Sequence, residues 1–92
     1  METDEPMNPS EETHVIAAAS LELLENEARL ERLQEGPAGG EAIRFSTWSQ
    51  GKLLKGPLVL EESELVELMH LAVQRGVLSQ DFIGKLRERI EI

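Results

Sequence analysis

Residues 10–35, SEETHVIAAASLELLENEARLERLQE, decide how the rest of this chain can be arranged. Ser10 offers an N-cap, and Glu11 and Glu12 place negative charge in a first turn, where the helix dipole favours it. No Gly or Pro interrupts the stretch before Gly36-Pro37. The segment therefore predicts one acidic amphipathic helix over 10–35, about 37 Å long at 1.5 Å per residue. Ile16, Ala19, Leu23, Asn26, Leu30 and Leu33 recur at alternating spacings of three and four, the seam of a coiled coil with one polar position. Leu21, Leu24 and Ala28 widen that stripe. Two outcomes stay open: the helix docks on its own domain, or it self-associates through the seam. Self-association is favoured, because the 51 residues after Glu41 are few to cover so long a stripe. The carboxylates of Glu22, Glu25, Glu27, Glu31 and Glu35 would then form an acidic face for a basic partner surface. Repulsion among Glu27, Glu31 and Glu35 at i, i+4 opposes the helix and is only partly offset by Glu25 with Arg29.

Outward from this stretch the chain changes character. Residues 1–9 contain two prolines, three acids and no apolar pattern, which predicts a disordered tail. Residues 36–41 hold the run GPAGG and predict a flexible linker. Residues 42–92 predict a small α+β domain. In it, Ile43, Phe45 and Thr47 alternate with Arg44, Ser46 and Trp48, the period of a strand. Gln50-Gly51 is a two-residue turn, and residues 52–60 return as the second strand, with Gly56-Pro57 marking a bulge or an edge.

In LEESELVELMHLAVQR, residues 60–75, Leu65, Leu68, Met69, Ala72 and Val73 fall on one helical face, with Ser63, Glu67, His70 and Gln74 opposite. Gly76 suits a left-handed stop, from which Val77 can reach back to Leu71 or Ala72. Ser79 caps a last helix, whose narrow stripe is Phe82, Ile83, Leu86 and Ile90. The expected fold is α+β: a long N-terminal acidic helix, a β-hairpin, and a C-terminal helical hairpin packed on that β-hairpin.

The order strand, helix, Gly-containing turn, helix across residues 58–90 resembles the ribbon-helix-helix DNA-binding family. That resemblance implies a dimer with paired strands in the major groove. The turn Gly76-Val77-Leu78-Ser79 is one residue longer than the family's Gly-x-Ser/Thr, and the strand Leu58-Val59-Leu60 has no polar reader residue. Membership is not assigned.

Charge narrows the functional classes. The formal net charge is −9, and residues 1–41 alone hold eleven acids against two bases. Residues 42–60 hold Arg44, Lys52 and Lys55 and no acid, whereas residues 61–92 hold seven acids and four bases. The acidic segment 1–41 should repel nucleic acid and anionic membrane and be drawn to a basic surface. With no cysteine there is no disulfide framework or thiolate metal site, which favours a cytoplasmic location. No apolar run approaches the roughly 20 residues of a membrane span.

His14 and His70 are the only histidines, and neither has a partner at metal-ligand or catalytic spacing. The sequence therefore predicts no enzyme, cofactor or metal. It predicts a non-catalytic protein–protein interaction module, self-associating, with the acidic helix on a basic partner, in one version as an inhibitor that mimics nucleic acid. The alternative is a small dimeric nucleic-acid-binding regulator using Arg44, Trp48, Lys52 and Lys55 on the basic hairpin, where cations and an aromatic ring could hold phosphates and stack bases.

Overall fold

The computed structural model describes residues 13–35 and 39–91. The tail expected over 1–9 and the cap at Ser10 lie outside the described residues. Four strands come first: β1 (Thr13–Glu22), β2 (Glu27–Glu35), β3 (Glu41–Ser49) and β4 (Lys52–Leu54). Two helices follow, α1 (Glu62–Gln74) and α2 (Gln80–Ile90). The strands form one antiparallel sheet in chain order.

The long acidic helix expected over 10–35 is therefore corrected to the first hairpin of a sheet. The break falls at Leu23–Asn26, where the Leu23 N–H donates to the Asn26 carbonyl at 2.8 Å and Glu22 faces Glu27 in register. A period of two runs through the same stretch and shares only Ala19 and Leu30 with the three-four seam. Ala17, Ala19 and Leu21 on β1 and Ala28 and Leu30 on β2 all belong to one core. Helix propensity among such residues is worth only tenths of a kcal/mol each, about 0 to 0.7. β2 instead has strands on both sides, so its ladder and its buried side chains decide the conformation.

The division at residue 41 does not survive either. Glu41 opens β3, and β2 pairs with β3 from Glu27 opposite Trp48 to Gln34 opposite Glu41. Of the expected linker over 36–41, Gly39, Gly40 and Glu41 are described; the Gly40 carbonyl accepts from the Glu35 N–H at 3.2 Å.

The C-terminal half follows the sequence more closely. Gln50 and Gly51 both take positive φ, 52° and 80°, which is the backbone of a two-residue hairpin turn whose twist suits the flanking strands. The second strand of that hairpin is only three residues long. Gly56, at φ 103°, turns the chain away, and Pro57 has no N–H to continue a ladder. Residues 58–60 form no strand, so the ribbon that the ribbon-helix-helix resemblance requires is missing.

At the start of α1, Glu64 Oε1 accepts from the Glu61 N–H at 2.8 Å, so Glu61 serves as N-cap with help from the third helical residue. At its end the Val77 N–H donates to the Ala72 carbonyl at 2.8 Å and the Gly76 N–H to that of Val73 at 3.2 Å, the two bonds of a Schellman motif. Ser79 caps α2, its hydroxyl accepting from the Phe82 N–H at 3.0 Å.

The core lies between α1 and the first hairpin. Leu68, Ala72, Val77 and Leu78 are buried against Ala19, Ala28 and Leu30. The helix was expected on the β3–β4 hairpin; it rests on β1 and β2 instead, where the small Ala19 and Ala28 side chains leave room for close approach. Arg32 reaches across from β2 and donates through Nε to the Val77 carbonyl at 2.8 Å, tying the sheet to the turn between the helices. α2 has no buried residue, and its Phe82 and Ile90 are exposed, so the expected close helical hairpin is not formed. Among the described residues, no helix is long and apolar enough to cross a membrane.

Candidate functional site

Alternation along the strands gives the sheet two unlike faces. Ala17, Ala19, Leu21, Ala28, Leu30, Ile43, Phe45 and Thr47 share the face under α1. Ala18, Ser20, Arg29, Glu31, Leu33, Arg44, Ser46 and Trp48 share the other; none of them belongs to the cluster under α1, although Leu33 is only 5% exposed.

On this second face, where among the described residues no helix packs, polar contacts order the side chains. Glu31, in the middle strand between Ala18 and Arg44, is only 2% exposed. Its Oε1 lies 2.8 Å from Arg44 Nε and 2.7 Å from Arg44 Nη2. The Ser46 hydroxyl approaches the same oxygen at 3.5 Å and accepts from Trp48 Nε1 at 2.8 Å. Arg29 stacks over the Trp48 ring, 3.8 Å from its centroid, and pairs with Glu27 at 2.7 Å. A buried carboxylate needs such partners, since removing one would leave an uncompensated charge.

These contacts disperse the residues that the sequence grouped. In the expected seam, Ala19 and Leu30 are cross-strand partners in the core, and Leu33 is buried on the opposite face. Leu23 and Asn26 lie in the loop between β1 and β2, and Ile16 sits exposed at a bulge in β1. A spacing of three and four makes a stripe only on a helix, so the six do not share one surface. The acidic face also separates. Glu22, Glu25 and Glu27 lie at one end of the first hairpin and Glu35 at the other, with Glu31 buried between. Of the basic group, Arg44 and Trp48 are engaged by Glu31, Ser46 and Arg29; Lys52 and Lys55 are exposed.

What sequence reading missed is an unoccupied sheet edge. β3 runs for nine residues, but β4 pairs only with Thr47, Trp48 and Ser49. In a two-residue hairpin the flanking residues, here Ser49 and Lys52, form the hydrogen-bonded pair. Backbone groups alternate in direction along a strand. Ser49 and Thr47 therefore address β4, and Phe45, Ile43 and Glu41 turn their N–H and C=O groups to the same side beyond its end. Among the described residues, nothing pairs with that side of residues 41–46.

Two clefts flank this edge. One, of about 390 Å³, opens where β4 stops, between Arg44, Phe45, Ser46, Leu54, Lys55 and Gly56. The other, of about 400 Å³, lies under the segment leading to α1, between Phe45, Gly56, Leu58, Leu60 and Leu65. Phe45 walls both and is 52% exposed, unusual for an aromatic ring on a helix-covered face. Among the described residues the outer edge of β1 is also unpaired, but its register shifts between Val15 and Ala17. Bulges of that kind twist an edge away from further pairing, and β3 has none. The signal for the β3 edge was in the sequence: Gly56-Pro57 ends the return strand early, while Glu41 lengthens its partner.

Among the described residues, no three His, Asp or Glu side chains converge as metal ligands. The chain matches no protein-family model, no curated protein and no solved structure.

Proposed function

We propose that this chain is a non-catalytic protein–protein interaction module that binds by adding a strand to the free edge of β3. One observation carries the reading: the backbone of Glu41, Ile43 and Phe45 faces outward without a bulge, beside two clefts that share Phe45. In strand addition the main-chain bonds supply affinity, and pockets for alternate side chains supply selectivity. The clefts are placed for the second task. Glu31, Arg44, Ser46, Trp48 and Arg29 contact one another, which supports a scaffolding role for Arg44 and Trp48 over nucleic-acid contact.

The test is a selection of random peptides displayed on phage against the immobilised chain, with Phe45→Pro as the control. Proline at position 45 removes an N–H that points away from β2, so β3 can still pair within its own sheet. Selected peptides are expected to bind the wild-type chain and not the variant, and to slow hydrogen exchange at the amides of Ile43 and Phe45. Peptides that bind both chains equally would place recognition elsewhere.

A further inference from the structure

The β3 edge has unlike ends. Glu41 begins it, with a side chain 48% exposed beside Arg32. Lys55 stands at the cleft beyond Ser46, at the other end, and Lys52 is exposed on β4; among the described residues neither lysine is paired with an acid. Between the ends lies Ile43, whose backbone groups face outward.

We propose that the occupant of this edge is the β3 edge of a second copy of the same chain, joined antiparallel across a two-fold axis to make one continuous sheet from both copies. The proposal rests on the strand-addition reading above and names its partner. A two-fold axis at Ile43 sets Ile43 against its own copy and the Glu41 of each chain against the Phe45 position of the other. Each Glu41 thereby arrives at the end of the edge where the other copy keeps Lys55. Such an isologous contact closes on itself and leaves no free β3 edge. The β1 edges, each with its bulge, become the two outer margins of the double sheet.

Specific dimers bury at least about 1,200 Å² in total, more than a short backbone ladder supplies. Phe45 and Leu54, both exposed in the single chain, are positioned to contribute the apolar remainder.

The test is the mass of the full chain in solution by light scattering and analytical ultracentrifugation, up to sub-millimolar concentration. The wild-type chain is expected to dimerise, and Phe45→Pro to abolish the dimer. Glu41→Lys alone brings two lysines together at each end of the joined edge, and Lys55→Glu alone brings two glutamates together there, so each should weaken self-association about tenfold or more. An equimolar mixture of these two variants relieves the like-charge repulsion by setting the introduced lysine of one chain against the introduced glutamate of the other, and should regenerate a dimer. Far-ultraviolet circular dichroism on each variant separates loss of the dimer from loss of the fold.

A monomer throughout the range overturns the proposal. If wild-type chain in that case still binds selected peptides and Phe45→Pro does not, strand addition survives and only the second copy is excluded. A dimer that persists in the Phe45→Pro variant, or that ignores both charge exchanges, likewise overturns the two-fold arrangement.

Discussion

On one face of the sheet Leu30 is buried among Leu68, Ala72 and Val77; on the other, its neighbour in β2, Glu31, is 2% exposed and is held by Arg44 and Ser46. The first arrangement needs a helix to exclude water, and α1 provides one. The second uses long side chains lying across their own strands, with Trp48 and Arg29 covering part of the area. Among the described residues, only the first face has a helix packed on it. The difference lies in how each face answers substitution. Apolar burial falls off with each atom removed, whereas a buried ion pair fails when either member is lost and can tolerate replacement of both.

The largest effect expected from this contrast is at Glu31. Glu31→Ala leaves the Arg44 guanidinium partly buried without its counter-charge and should cost about 3 to 5 kcal/mol, read as the shift in urea midpoint. Replacing both members, as Glu31→Leu with Arg44→Met, should recover most of that loss, since apolar substitutes of similar volume are often neutral or better. If the double replacement is as damaging as the single one, the pair is not the unit that holds this face.

Leu68→Ala probes the covered face, and its expected cost is about 2 to 5 kcal/mol with no second substitution that restores it. The side chain is fully buried, so a loss below about 1 kcal/mol would mean that α1 settles into the space it vacates. A domain of this size has only about 5 to 15 kcal/mol of total stability, and either substitution should be evident in equilibrium unfolding.

The same contrast explains what could be read from the sequence. Leu68, Ala72 and Val77 were legible because α1 has caps at both ends and one helical stripe, so local and tertiary preferences agree. The alternation from Ile43 to Trp48 and the turn at Gln50-Gly51 were legible for the same reason. The first hairpin was not. Leu21, Ala28, Leu30 and the Glu and Arg residues between them are strong helix formers, and the loop at Leu23–Asn26 contains neither Gly nor Pro. Their strand conformation is set by β3, whose pairing with β2 extends from Gln34 opposite Glu41 to Glu27 opposite Trp48, farther along the chain than the turn-to-turn spacing that a helical pattern samples. The β3 edge was half legible. Gly56-Pro57 reads as a bulge or an edge within a strand over 52–60, whereas pairing stops at Leu54, and β3 continues back to Glu41, inside what looked like a linker.

The smallest effect expected is at Arg29, where the comparison can be sharpened without damaging either core. Its guanidinium stacks on Trp48 and pairs with Glu27, and the two charged side chains are 24% and 29% exposed. Part-exposed contacts of this kind contribute about 0.5 to 1 kcal/mol, and the ion pair weakens as salt rises. Arg29→Ala should therefore lower stability by about 1 kcal/mol or less, with a smaller difference at high salt. Trp48 is the only tryptophan, so its fluorescence reports the uncovered face alone, while circular dichroism follows sheet and helices together. In wild-type chain the two unfolding curves should coincide, because Glu31 and Leu30 are adjacent on one strand and cannot be released separately. If Arg29→Ala moves the fluorescence transition ahead of the other, the polar face melts as a unit of its own, and the two faces are less closely coupled than their shared backbone implies.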